Sequence, residues 1–270
     1  MDFEIEKANP NDEEKIIELI EKIYPKGYNK VWLNDKKLFE KSLDEIIVAR
    51  NDDELIGMIK LNENYWPGVN YIETLIIDTP YRNKGLGTFL DDKAKELSTR
   101  PIVSLDRLTS INMLLKSGNH PGALLPNREY IDGKKESLFL TYIPKNYEFN
   151  EPIENKVKEK KYNDQTYLYE LSGNISSSEI ENAIRKINST CFQIVSVNHI
   201  EDSVLKEIAR SKGIYHINAG MINTGSTHLN INMFYKDLNV IKDIDRFKST
   251  IKDKEALNMI KYVENQISNY

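Results

Sequence analysis

Two neighbouring stretches hold the residue types that do chemistry. "YIETLII", Tyr71 to Ile77, sets the carboxylate of Glu73 among Ile72, Leu75 and Ile77. Charged groups are rarely buried without a reason. Burial raises the pKa of a carboxyl and makes its anion a stronger base. Glu73 therefore reads as a proton acceptor, as an anchor for a ligand's ammonium, or as an edge carboxylate facing water. Strand alternation puts it on the face of Leu75 and Ile77. Directly after comes "PYRNKGLG", Pro80 to Gly87. A strand that enters a helix through such a turn presents the helix's first N–H groups, which lack partners. The helix dipole adds partial positive charge there, and phosphate is the usual guest. Glycine is needed where a Cβ would block the approach.

The elements that must position these residues follow from periodicity. "FEIEK" alternates as a strand, and Asn11 with Glu14 predicts a capping box for a helix striped by Ile16, Ile17, Leu19, Ile20 and Ile23. A second helix is predicted over Lys36 to Ser42. "EIIVARN" and "ELIGMIKLNEN" form a hairpin, and a loop with Tyr65, Trp66, Pro67 and Gly68 leads to "YIETLIID". Leu86, Phe89, Leu90, Ala94 and Leu97 line one face of the helix behind the glycine turn, and Pro101 stops it. Then follow the strand "PIVSLD", a short helix from Thr109 to Lys116, and two strands connected around Asp132 and Gly133. The charge run "KVKEKKYNDQ" has no apolar face and reads as a linker or solvated edge. Beyond it a strand, a helix, the strand "FQIVSVN", a helix, a paired return "GIYHINAGMIN" and "THLNINMFYK", and two closing helices are expected. This order echoes the end of the first half.

Composition narrows the class. The 270 residues allow one large domain or two modest ones. A formal net charge of −5 argues against a nucleic-acid partner. The single cysteine, Cys191, rules out a disulfide within the chain and a cysteine-rich metal site, and reads as a small buried residue. His120, His199, His216 and His228 show no metal spacing, so no metal is expected. His120 reads as a loop residue. The N-terminus has no signal-peptide core, and no window nears the roughly 20 apolar residues of a membrane span. A cytoplasmic protein with no membrane partner is the expectation.

Three phosphate-binding turns compete for "RNKGLG". A Walker A loop needs a Gly-Lys-Ser/Thr ending that is missing here. A dinucleotide fingerprint needs a third glycine where Leu90 stands. The stretch matches R/Q-x-x-G-x-G/A, and "YIETLIIDTPYRNKGLGTFLDDKAKEL" resembles the acyl-CoA-binding core of the GNAT (general N-acetyltransferase) superfamily. Together with the element order, the resemblance covers about the first half, from Phe3 to Ile143.

The resemblance implies an α/β fold: a mixed, mostly antiparallel GNAT-like sheet with one splayed strand pair, followed by a smaller α/β domain that echoes half of the same fold. The expected divisions are 1–145 for the acyl-CoA-binding domain, 146–164 for a linker or edge segment, and 165–270 for a C-terminal domain that completes the acceptor pocket or forms a homodimer contact. It also implies that backbone amides of Arg82, Asn83, Lys84, Gly85, Leu86, Gly87 and Thr88 hold the diphosphate of acetyl-CoA, the co-substrate. The Arg82 side chain would face the phosphates or brace the loop. Edge groups of Leu75, Ile76 and Ile77 would pair with the pantetheine arm, and an amide at Leu75 or Ile76 would polarise the thioester carbonyl. Glu73 takes the place of a glutamate in polyamine-type members with a "YIED"-like strand. Tyr65 and Trp66 would wall the acceptor pocket.

The chain departs from the family pattern in two places. Thr79-Pro80 replaces a frequent Pro-Glu. Leu114 stands where the family often has a tyrosine that protonates the leaving thiolate, with Tyr130 and Tyr142 as candidate substitutes. The expected function is transfer of acetyl from acetyl-CoA to a primary amine of a small molecule, by direct attack in a ternary complex. The alternatives are a non-catalytic acyl-CoA sensor or interaction module, and a protein or peptide N-acetyltransferase.

Overall fold

The computed structural model describes residues 3–24, 31–106, 108, 110–131, 134–145, 147–148, 152–162, 165–186, 191–225, 227–237 and 244–270. Asp132 and Gly133, expected in a connection, lie outside these residues, as does Thr109.

The chain starts with β1 (Glu4–Lys7) and α1 (Glu13–Ile23). The capping box that precedes α1 is made one step earlier than expected. Asn9 and Asp12 cap each other across a 3-10 turn, and α1 itself has no side-chain cap. Pro10 explains the shift, because its fixed φ suits the first position of a helical turn and draws the cap back to Asn9. Ile16, Leu19 and Ile20 are buried, as the stripe requires. α2 (Val31–Asn34) and α3 (Lys36–Ser42) follow. Then come β2 (Ile46–Asn51), β3 (Glu54–Trp66), β4 (Val69–Ile77), α4 (Leu86–Leu97), β5 (Ile102–Asp106), α5 (Ile111–Lys116), β6 (His120–Ile131) and β7 (Lys134–Ile143). The expected loop around Tyr65 contracts to a two-residue turn. Pro67 and Gly68 connect Trp66 to Val69, with Gly68 at φ +68°. Proline followed by a glycine of positive φ suits a tight turn. His120 opens β6 instead of lying in a loop.

The second half contributes β8 (Lys156–Tyr162), β9 (Gln165–Gly173), α6 (Ser177–Lys186), β10 (Cys191–Ser196), α7 (Asp202–Ser211), β11 (Tyr215–Asn223), β12 (His228–Tyr235), α8 (Ile244–Thr250) and α9 (Lys254–Ser268). All twelve strands form one sheet, in the order β1-β2-β3-β4-β5-β7-β6-β11-β12-β10-β9-β8. The fold is mixed α/β, with a sheet that is mostly antiparallel; β4–β5 and β9–β10 are its parallel pairs.

The halves join where β6 meets β11, with Ala123 opposite Gly220. A Cβ at Gly220 would lie 2.1 Å from the Gly122 carbonyl oxygen, so only glycine lets the backbones close here. The largest buried cluster draws on both halves: Trp66, Val69, Val103 and Leu124 pack with Leu168, Val195, Met233 and Val263. No helix among the described residues is long and apolar enough to cross a membrane.

Candidate active site

β3 and β4 stay paired from Trp66–Val69 to Gly57–Ile77, and β5 stays on β7 as far as Asp106–Phe139. β4 and β5 themselves pair only at Asn70–Ile102, Tyr71–Val103 and Ile72–Ser104. Beyond these three pairs the two parallel strands part, and the wedge between them opens toward their C-terminal ends. The turn into α4 lies at that same end.

The turn is built by its own residues. Asp78 is buried, accepts a hydrogen bond from the Thr79 amide at 2.7 Å and pairs with Lys22 at 2.6 Å. Arg82 Nε donates to the Ile77 carbonyl at 3.0 Å, so this side chain braces the loop. Asn83 and Gly85 take positive φ, 61° and 86°, and Gly85 opens α4 without a side-chain cap. The first amides of α4 therefore face outward with no side-chain oxygen in front of them. Lys84 is exposed and Thr88 half-buried, whereas Leu86 and Gly87 are buried. A Cβ at Gly87 would stand 3.0 Å from Ile77 Cδ1, so glycine seats α4 tightly against the end of β4.

Glu73 sits on a bulge. Lys60 faces Thr74 and Leu61 faces Ile72, which leaves Glu73 as the extra residue of β4. A bulge resets alternation. Leu75, Ile77 and Ile72 pack with Leu86 and Leu90 beneath α4, whereas Ile76 packs with Met58, Trp32 and Phe39 on the opposite face. The Glu73 carboxylate lies 2.9 Å from Lys60 Nζ, which in turn lies over the Trp32 ring. Glu73 therefore does not share the face of Leu75 and Ile77. Lys60 is buried and also holds Glu45 at 2.6 Å, so two carboxylates flank one ammonium. A lysine within the apolar run "ELIGMIKL" was the sequence signal for this partner.

Tyr65 and Trp66 end β3 at the tip of the hairpin. Trp66 is fully buried, and its Nε1 donates to Glu170 Oε1 on β9 at 3.0 Å. Tyr65 is half-buried, with its ring 4.5 Å from that of Tyr71. Around them lies a charge cluster that sequence reasoning missed. Arg128 on β6 is fully buried. It donates to Gln193 Oε1 at 2.6 Å, Glu129 Oε1 at 2.6 Å, Glu170 Oε2 at 2.9 Å and Tyr65 Oη at 3.3 Å. The run read as solvated is strand β8, at the sheet edge, and it turns alternate lysines inward. Lys158 Nζ lies 3.3 Å over the Tyr65 ring and donates to the Tyr65 carbonyl, while Lys160 pairs with Glu129.

Burial lowers both ammonium groups, Lys158 to about 8. The Tyr71 phenol is held well above its usual value, first by burial and then by Tyr65; it also feels Arg128, Glu129 and Glu73. Tyr71 lies two residues from Glu73 on β4, and its ring packs on that of Tyr65.

Leu114 is buried on α5. Tyr142 lies on β7 beside His120, their rings 5.6 Å apart, and the Tyr130 side chain lies outside the description. Cys191 is buried in the core. Among the described residues no group of three or more His, Cys, Asp and Glu could hold a metal ion.

Against known proteins, residues 13–118 match the model of the acetyltransferase (GNAT) family. The match covers less than half of the chain and shows likeness to a GNAT acetyltransferase domain over those residues. No curated protein matches the chain. Among solved structures, a GNAT-family acetyltransferase from Streptococcus pneumoniae aligns with 53% of this chain and 99% of its own, at 15% identity and a TM-score of 0.45. A spermidine N-acetyltransferase variant from Vibrio cholerae aligns over 52% and 92%, at 15% identity and 0.45. N-acetylglutamate synthase from Neisseria gonorrhoeae, complexed with coenzyme A and N-acetyl-glutamate, aligns over 53% and 35%, at 16% identity and 0.41. The residues that match the family model, 13–118, include the glycine turn, β4, β5 and Glu73.

Proposed function

We propose that the chain is an acetyl-CoA-dependent N-acetyltransferase that acts on a primary amine of a small molecule in a ternary complex. One relationship supports this above all: the β4–β5 wedge opens toward the same end of the sheet as the uncapped N-terminus of α4. The residues present fit acetyl-CoA. Gly85 takes a left-handed φ that exposes the turn, Gly87 lets α4 seat closely against the end of β4, and the amides from Arg82 to Thr88 suit a diphosphate. Bound acetyl-CoA would supply an activated thioester. Leu75, Ile76 and Ile77 lie along the side of β4 that parts from β5, where main-chain groups are available to an extended arm and an amide to a carbonyl oxygen.

Glu73 accepts the proton that the amine must lose when its nitrogen bonds to the carbonyl carbon and the carbon–sulfur bond breaks. Its position between the wedge and Lys60 suits that task. Residues 146–270 belong to the acceptor side in this reading, because β8 and β9 close on Tyr65 and Trp66. Division of the chain at 145 and 165, a cytoplasmic setting and a homodimer remain parts of the proposal.

A second reading, a non-catalytic acyl-CoA-binding module, draws on Leu114, which fills the usual tyrosine slot with a buried aliphatic. Following free-thiol release from acetyl-CoA across a panel of primary amines, alongside CoA binding by calorimetry, separates the two. Amine-dependent thiol release supports the transferase. Tight CoA binding with no release for any amine supports the module, and absence of CoA binding removes both.

A further inference from the structure

We infer that the C-terminal half repeats the acyl-CoA topology of the first half with its site sealed by its own residues, so that the chain takes up one CoA, in the first half. The inference rests on the reading above, in which the turn before α4 holds the diphosphate.

The repeat is visible in the sheet. From β3 to β7 the chain runs strand, strand, helix, strand, helix, strand, strand, and from β8 to β12 it runs the same way. The order β3-β4-β5-β7-β6 is followed by its own reverse, β11-β12-β10-β9-β8, so each strand has a counterpart. β4–β5 and β9–β10 are both parallel, and β5–β7 and β10–β12 are both antiparallel. The counterparts β6 and β11 meet antiparallel at Ala123 and Gly220, the self-matching contact of a two-fold pair. Among the described residues β1, β2 and α1 to α3 have no counterpart.

Register shows that the second unit has no wedge. Ile102 opens both ladders of β5, with Asn70 and Ile143, and Cys191 opens both ladders of β10, with Leu168 and Tyr235. With Ile102 matched to Cys191, β4 and β5 part after Ile72–Ser104, whereas β9 and β10 add three more pairs: Leu171–Ile194, Ser172–Val195 and Gly173–Ser196. The Val197 amide then donates to the Gly173 carbonyl at 2.9 Å. Both edges of β9 are paired, with β8 and with β10, so an extended pantetheine arm has no edge to join there.

The turn into α6 is closed as well. Asn155 Oδ1 accepts from the Asn174 amide at 2.9 Å, and Asn198 Oδ1 accepts from the Ile175 amide at 2.9 Å. Ser176 and Glu179 cap each other: Glu179 Oε2 accepts from the Ser176 amide at 2.8 Å, and the Ser176 hydroxyl oxygen accepts from the Glu179 amide at 3.3 Å. A Cβ at Gly173 would lie 2.1 Å from Asn155 Oδ1, so the room this glycine leaves is already filled. The Ser176 hydrogen bonds hold the Glu179 carboxyl below its usual pKa, and a diphosphate would meet that negative charge. α4, by contrast, has no side-chain cap and no acid in its first turn. What the second unit keeps is contact with the first: Glu170 holds Trp66, and Lys158 holds the Tyr65 carbonyl.

The test uses the full chain with CoA alone, read by native mass spectrometry and by calorimetry. One adduct per chain is expected, however far CoA is raised. Gly87→Asp brings a negative charge into the first turn of α4 and should weaken that binding by about a hundredfold or more, as like charges placed together do. Ser178 is the second residue of α6, as Gly87 is of α4. It is exposed, and an acid in the first turn suits a helix, so Ser178→Asp should fold and bind CoA unchanged. Two CoA per wild-type chain would overturn the inference and leave the site of the first half standing; that count needs no variant. Loss of binding in both variants, with thermal melts unaltered, would show that the second unit takes part and would also overturn the inference. A single CoA lost only in Ser178→Asp, or kept in both variants, would remove the turn before α4 and the inference with it. If the wild type binds no CoA, both fall.

Discussion

The indole Nε1 of Trp66 donates to Glu170 Oε1 at 3.0 Å across 104 residues, and the other oxygen of the same carboxylate holds Arg128 at 2.9 Å. The tip of the β3–β4 hairpin is thereby fixed to the C-terminal half by a buried ion pair. Removing one member of such a pair leaves an uncompensated buried charge, which costs roughly 3 to 5 kcal/mol. Glu170→Ala should therefore lower unfolding free energy in urea by about that amount. Glu170→Leu combined with Arg128→Met should recover much of the loss, because neither charge is then stranded. A double variant as unstable as the single one would mean that shape at this site matters more than charge.

Gly87→Asp should abolish CoA binding and leave the fold intact. An acidic side chain in the first turn suits a helix dipole, so α4 has no reason to unravel. The new side chain would start beside Ile77 Cδ1 and Met113 Cε and bring a negative charge into the turn whose amides are assigned to the diphosphate. Gly87→Ala tests crowding alone: the new Cβ meets the ends of two flexible side chains, Ile77 Cδ1 at 3.0 Å and Met113 Cε at 3.6 Å, and alanine favours helix by roughly 1 kcal/mol. Calorimetry with CoA and a thermal melt on each variant decide the matter. Retained CoA affinity in Gly87→Asp would contradict the assignment of the turn.

What could be read from the chain in advance depended on range. The glycine turn is a local pattern and stands where expected, and of the stripe Leu86, Phe89, Leu90, Ala94 and Leu97 the residues Leu86, Leu90 and Ala94 are buried, whereas Phe89 and Leu97 lie exposed on the flank of α4. The alternation of β11 and β12 was equally plain. Glu73 was visible as a carboxylate in an apolar strand. Its face was not, because alternation counts residues and a bulge adds one without a sign in the sequence. The inward lysines of β8 were hidden for the opposite reason: an edge strand with its charges inside and Val157 outside inverts the usual pattern. Arg128 and Glu170 are 42 residues apart, and nothing local to either predicts their meeting.

Glu73→Gln should leave CoA affinity unchanged and lower turnover by roughly a hundredfold, the lower range for loss of a general base. The loss should be greatest at lower pH, where more of the acceptor amine is protonated and needs a base. Lys60 keeps Glu45 as a partner at 2.6 Å, so the variant should still fold. If the main effect is instead a raised KM for the amine with kcat preserved, Glu73 anchors the ammonium and does not take its proton. Unchanged rates at every pH would remove it from both roles.

Lys158 should impose a pH dependence of its own. Burial lowers it from the ordinary 10.5 to about 8, opposed by Glu170 and reinforced by Arg128 and Lys156. A folded-state pKa below the unfolded one means that the unfolded chain binds more protons between these values, so stability rises with pH across that window. The contribution is fully present above about 10.5 and is lost as pH falls through about 8. Urea unfolding of wild type minus Lys158→Met between pH 7 and 10 isolates it from the other lysines; roughly parallel curves would show that the group titrates normally.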